Sequence, residues 1–158
     1  GTEEEEAPAE SPKEQEGAFR IPDFTSEDFE GNEVTNKFFA DNKLTVVNIW
    51  TTTWPSCITE IPALQEIGDK YSDKDVKILA ILAGNELEAG KKILDQKGGK
   101  YTNIITTDSL IDGFLDQIMY VPTTLIVNSK GEMIGEMIAG ARSTDEFSKL
   151  IEDALKDL

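Results

Sequence analysis

Two stretches near the middle of the chain are apolar at almost every position. Lys43-Leu44-Thr45-Val46-Val47-Asn48-Ile49-Trp50 and residues 76–83 are rich in β-branched side chains and show little alternation. Such runs predict strands buried on both faces of a largely parallel sheet, because a strand with one wet face would alternate. Elsewhere a helical period takes over. Ile58, Ile61, Leu64, Ile67 and Tyr71 make the apolar stripe of a helix predicted over residues 55–71. Pro55 suits its first turn, where no N–H is needed, and Pro62 is expected to kink it. A helix over residues 86–96 ends at Gly98-Gly99. A short strand follows at 103–106, and Asp108 or Ser109 is expected to cap a helix running to about Ile118. Residues 123–128 and 133–138 read as a hairpin turning at Ser129-Lys130-Gly131. The last helix opens at Ser143, with Glu146 three residues on as a capping box, and presents Phe147, Leu150, Ile151, Ala154 and Leu155 on one stripe.

The N-terminal part is less regular. Residues 19–24 predict an edge strand limited by Pro22. A turn is expected around Gly31-Asn32, then a short helix over 36–41. The element order predicts an α/β domain with a central mixed sheet, helices on both faces and an N-terminal β extension.

Charge divides the chain. Residues 1–17 hold Glu3, Glu4, Glu5, Glu6, Glu10, Glu14 and Glu16 against Lys13 alone, with Pro8 and Pro12 among them. So charged and apolar-poor a segment cannot offset its ordering entropy, so it is expected to be a disordered acidic tether, with the folded domain over 18–158. The tail accounts for −6 of the formal net charge of −16, leaving the domain at −10. That acidity argues against nucleic acid as a partner. No run approaches the roughly 18 apolar residues that span a bilayer. There is no histidine, so neither a Ser-His-Asp triad nor a zinc site is expected. Cys57 is the only cysteine, so no internal disulfide can form.

The junction between the first buried run and the first long helix carries the chemistry. It reads Asn48-Ile49-Trp50-Thr51-Thr52-Thr53-Trp54-Pro55-Ser56-Cys57-Ile58-Thr59-Glu60-Ile61-Pro62, and Tyr120-Val121-Pro122-Thr123-Thr124 stands before a later strand. Together these resemble the TlpA/ResA branch of the thioredoxin superfamily, in which N-F-W-x-x-W leads into C-x-x-C and x-x-E-x-P, and V-P-T-T precedes a strand. The resemblance spans residues 19–158 and implies a thioredoxin fold. It implies that Pro122 is cis and faces the thiol, that Cys57 is the second, resolving cysteine, and that Glu60 lies beside it. Trp54 stands where the family has its nucleophilic first cysteine; read with a gap, Trp54 is instead the family tryptophan and the cysteine is missing.

In the family, the first thiolate attacks a substrate disulfide and the second thiol releases the mixed disulfide. With Cys57 alone that release cannot occur. The expected catalytic set is Cys57, Glu60 and Pro122, with Trp54, Pro55, Ser56, Val121 and Thr123 as substrate contacts. Asn48 cannot titrate and is expected to make a structural hydrogen bond, and Trp50 to lie in the core. The resemblance implies a bacterial protein outside the cytoplasm, secreted or held by an upstream lipid anchor, monomeric, free of cofactors, and acting on thiol- or disulfide-bearing proteins. Three functions compete: a redox protein with a degenerate W-P-S-C site, a redox-silent module binding peptides in the groove beside Pro122, and a peroxiredoxin-like peroxidase. The last wants Thr three residues before its cysteine, where Trp54 stands.

Overall fold

The computed structural model describes residues 19–158, so the acidic tether expected over 1–17 lies outside the described residues. Five strands form one sheet in the order β5-β4-β3-β6-β7. β3 (Leu44–Trp50) is central and pairs in parallel with β4 (Val76–Leu82), which pairs in parallel with β5 (Thr102–Ile105). On its other side β3 pairs antiparallel with β6 (Thr123–Val127), and β6 with β7 (Met133–Ala139). Every residue of β3 is buried, as its unbroken apolar run requires.

Alternate residues of β3 build two cores. Leu44 and Val46 face Leu64, Ile67 and Tyr71 of α2 (Pro55–Lys70) and Phe147 and Ile151 of α5 (Thr144–Lys156). Val47 and Ile49 face Phe24, Phe39, Leu110 and Phe114 on the opposite side. Phe39 belongs to α1 (Lys37–Ala40) and Leu110 to α4 (Asp108–Ile111). α3 (Leu87–Lys97) joins the α2 side through Leu94. Behind it Gly99 passes so close to α2 that an added Cβ would stand 2.8 Å from Ile61 Cγ2, which only glycine avoids. α2 continues through Pro62, which is exposed. The capping box of α5 forms: Ser143 Oγ accepts from the Glu146 N–H at 3.2 Å and Glu146 Oε1 from the Ser143 N–H at 2.9 Å.

Two expectations are corrected. The edge strand over 19–24 reduces to one bridge between Arg20 and Glu132. Ile21 N–H reaches Gly131 O at 3.0 Å, but the Gly131 N–H turns back to Asn128 O at 3.0 Å, so the ladder stops where the β6–β7 turn begins. The β extension begins later, as a separate hairpin of β1 (Thr25–Glu27) and β2 (Glu33–Thr35). The helix expected to run to Ile118 stops at Ile111, because Gly113 takes φ +83° and turns the chain into a short 3-10 turn over Leu115–Gln117. Its N-cap is Thr107 rather than Asp108 or Ser109. Thr107 Oγ1 and Ser109 Oγ instead donate to Thr25 O and hold β1.

Because β3, β4 and β5 run the same way, the loops that follow them open at one end of the sheet. The loops entering β6 and leaving β7 open there too. The motif residues lie at this end.

Candidate functional site

α2 starts where β3 ends. Trp54 is its N-cap, in an extended conformation that turns the chain, and Pro55 follows in the first turn. The Cys57 N–H donates to Trp54 O at 3.0 Å, closing that turn. Trp54 is 55% exposed while Cys57, three residues on, is 2% exposed. Pro55 is exposed and Ser56 half-buried. The thiol packs among Trp50, Ile61, Ala80, Leu82 and Leu94, with Val121 against the same cluster. A helix N-terminus favours a thiolate, yet burial pushes the Cys57 thiol up, and the nearby Glu60 charge pushes it the same way. Hydrogen bonds from the Thr51 backbone and side chain only partly oppose this. At neutral pH Cys57 is a protonated thiol in an apolar pocket.

Glu60 lies on the same face of α2 and is equally buried, at 2% exposure. The fold does not leave it as a solvated surface acid. Its Oε1 accepts from Asn48 Nδ2 at 3.0 Å, and its Oε2 from the Arg142 backbone N–H at 2.8 Å. Asn48 Nδ2 also donates to Thr124 Oγ1 at 3.0 Å, so the structural role expected of the amide is met. Burial pushes the Glu60 carboxyl up to about 7; the two donors and the Arg142 charge restrain the rise. The Tyr101 hydroxyl is pushed up as well, by burial and then by the Glu60 charge. Trp50 is core, as expected, and its Nε1 donates to Asn103 Oδ1 at 2.8 Å.

The Val121-Pro122-Thr123-Thr124 stretch adjoins this network through Thr124. The Val121–Pro122 peptide is cis. Pro122 is buried, its carbonyl accepting from the Gly140 N–H at 2.8 Å. The loop after β7 therefore grips both Pro122, through Gly140, and Glu60, through Arg142. Thr123 turns inward, and its hydroxyl donates to Tyr120 O at 2.6 Å, so that side chain is already engaged. Met119 and Tyr120, just before it, are 80% and 69% exposed.

The fold thus brings Cys57, Glu60, Val121 and Pro122 to one end of the sheet and sets Trp54 and Pro55 at its surface. Sequence reasoning did not single out Thr51, Tyr101, Asn103 or Arg142. Asn103 had a usable signal, a lone amide in a short apolar strand, whereas Arg142 acts through a backbone N–H that any residue but proline carries.

Known proteins share this fold. The AhpC/TSA family profile matches residues 19–136. The thiol-disulfide oxidoreductase ResA of Halalkalibacterium halodurans is 26% identical over 132 residues, covering 82% of this chain and 73% of that protein. Sporulation thiol-disulfide oxidoreductase A of Bacillus subtilis is 29% identical over 102 residues, covering 60% of this chain and 61% of that one. Among solved structures, a thioredoxin-family thiol:disulfide interchange protein from Chlorobium tepidum superposes with a TM-score of 0.76 at 22% identity, over 90% of this chain and 99% of that one. A secreted disulfide oxidoreductase of Mycobacterium tuberculosis gives 0.67 at 20% identity, over 82% and 95%. The fold is the thioredoxin fold, and the chain belongs to the AhpC/TSA family, among relatives that are thiol-disulfide oxidoreductases of the ResA kind.

Proposed function

We propose that this protein keeps the binding end of a ResA-type oxidoreductase but not its dithiol chemistry, and that it works outside the cytoplasm by holding extended protein segments against the loop at Pro122. One observation carries the reading: the only thiol in the chain is buried and protonated, and an exposed tryptophan stands three residues before it, at the helix N-cap. Two-step exchange needs an accessible thiolate at that N-cap and a second thiol behind it. Here only the second is present. A peroxidase needs a low-pKa, reachable cysteine, and Cys57 is neither. The extracytoplasmic location is supported by likeness to a secreted relative; no helix among the described residues is long and apolar enough to cross a membrane.

The test is reduction of insulin by dithiothreitol with and without this protein, beside Trp54→Cys. The unaltered protein is expected to add nothing to the reductant alone. Trp54→Cys, which restores a thiol at the exposed N-cap, is expected to accelerate the reaction. Acceleration by the unaltered chain would mean that Cys57 works as a single thiol, and the reading would fall.

A further inference from the structure

Glu60 is too buried to touch a docked segment, yet one loop joins it to Pro122. Its Oε2 accepts the Arg142 N–H at 2.8 Å, and two residues earlier the Gly140 N–H donates to Pro122 O at 2.8 Å. The loop after β7 is therefore fixed to α2 at one residue and to the start of β6 at another. Next to that carbonyl, the N–H and C=O of Val121 have no hydrogen-bond partner among the described residues. Val121, Pro122 and residues 140–142 make the mouth at which an extended segment would dock.

The grip on this loop depends on the charge of Glu60. The carboxyl takes one donor on each oxygen, Asn48 Nδ2 on Oε1 and the Arg142 N–H on Oε2, and both are neutral amide groups. A carboxylate holds such donors roughly twice as strongly as a neutral acid does. The groups coupled to the carboxyl are Cys57 on α2, Tyr101 before β5, Asn48 on β3 and Arg142 in the loop. Asn48 does not titrate and Arg142 stays charged. The thiol and the phenol are both pushed up, away from neutrality. Glu60, at about 7, is the member of this cluster that changes charge near neutral pH.

We propose that Glu60 is a positioning residue for docking: ionised, it fixes residues 140–142 and, through Gly140, the Pro122 carbonyl; protonated, it loosens the Arg142 N–H and docking weakens. The inference rests on the docking role proposed above and adds its regulation by pH. A loop already fixed in its docking geometry leaves less ordering to be done when a segment arrives, so affinity is higher. Because Glu60 is 2% exposed with nothing bound, a docked segment removes little further water from it, and its influence on the carboxyl comes through the loop. The coupling is reciprocal: a docked segment lowers the pH at which Glu60 takes up its proton. Each tenfold in affinity between the two forms corresponds to about one pH unit in that midpoint.

The test uses the full chain, isotope-labelled, and a blocked nonapeptide of Ser, Thr and Gln around a central Val-Phe pair, which carries no titrating group. Binding is measured at about pH 5.5 and about pH 8 at one ionic strength, on either side of the Glu60 transition. Amide resonances of Val121, Gly140 and Arg142 are followed with and without peptide. The peptide is expected to bind about tenfold tighter at the higher pH. In the free chain the Gly140 and Arg142 amides are expected to shift together with a midpoint of about 7, and saturating peptide to lower that midpoint by about one pH unit. Glu60→Gln is expected to bind weakly at both pH values, with no slope. Arg142→Gln keeps the backbone N–H and is expected to keep the slope, with the midpoint moved up because the cation that restrained the carboxyl is gone. If the peptide shifts the Val121 amide with equal affinity at both pH values, the docking role stands and the inference is overturned. Amides of Gly140 and Arg142 that do not titrate, or a slope that survives Glu60→Gln or vanishes in Arg142→Gln, overturn it as well. If the peptide binds at neither pH, the docking role fails and takes the inference with it.

Discussion

Cys57 and Glu60 stand three residues apart on one face of α2 and are equally buried, yet the fold treats them in opposite ways. The thiol sits in an apolar pocket, and of the two groups only it could be replaced by a hydrocarbon at little cost. The carboxyl is held by donors from β3 and from the loop after β7, which are remote from it in sequence. Burial pushes both groups toward their protonated forms. For Cys57 that means loss of nucleophilicity; for Glu60 it means a proton exchanged near neutral pH. A polar brace stands beside the lone thiol, and it ties together the helix start, the Pro122 strand and the loop that grips both.

The sharpest way to break the contrast is Asn48→Asp, which swaps a donor to Glu60 for a second carboxylate. Two buried acids in contact cannot both ionise without a large penalty, so above pH 7 the variant is expected to lose about 3–5 kcal/mol of stability in urea unfolding. Part of that should return at pH 5, where one carboxyl is protonated. A variant as stable as the parent at pH 8 would show that Glu60 is not confined as described.

Next in size is the pH response of Glu60 itself. Its folded pKa of about 7 lies above the ordinary 4.5, so between those values the folded protein keeps a proton that the unfolded chain has released. The favourable contribution is therefore complete below about pH 4.5 and is lost as pH rises through 7, by at most about 3 kcal/mol. Glu60→Gln is expected to flatten that slope relative to the parent between pH 5 and 8. Superimposable stability profiles for the two proteins would remove the raised carboxyl from the account.

The smallest effect belongs to the thiol. Cys57→Ala removes one buried sulfur and is expected to lower stability by only about 1–2 kcal/mol, as for a small hydrophobe. In the folded protein, alkylation of Cys57 by iodoacetamide is expected to be at least about a hundredfold slower than in denaturant. Rapid labelling of the native state would erase the distinction between the two groups.

Much of the frame was legible because it depends on local rules. The apolar runs of β3 and β4 and the Ser143–Glu146 box are each decided within a few residues, and each formed as read. The failures came where distant partners decide. Residues 19–24 have strand composition, but their one bridge, Arg20 to Glu132, falls where the turn at Gly131 gives way to β7, and the pairing goes no further. The helix after Asp108 ends because Gly113 adopts a left-handed turn, a choice its neighbours in sequence do not force. In the site, Cys57, Glu60 and Pro122 were marked by their spacing and by resemblance. The burial of Glu60 was not, because the groups around it arrive from β3, from Tyr101 and from the backbone of Arg142, and a backbone N–H has no sequence signature.

The β1–β2 hairpin bears on what the edge of the sheet can accept. β5 is an outer strand of the sheet, and an open strand edge is a template on which another chain can add. Ser26 Oγ donates to Ile105 O at 2.6 Å, and Asp28 bridges Ile104. The N-terminal extension therefore occupies, within one molecule, hydrogen-bonding positions that aggregation would otherwise use. A chain shortened past Glu27 would leave residues 102–105 exposed to strand addition, and its defect would show as self-association before any change at the mouth.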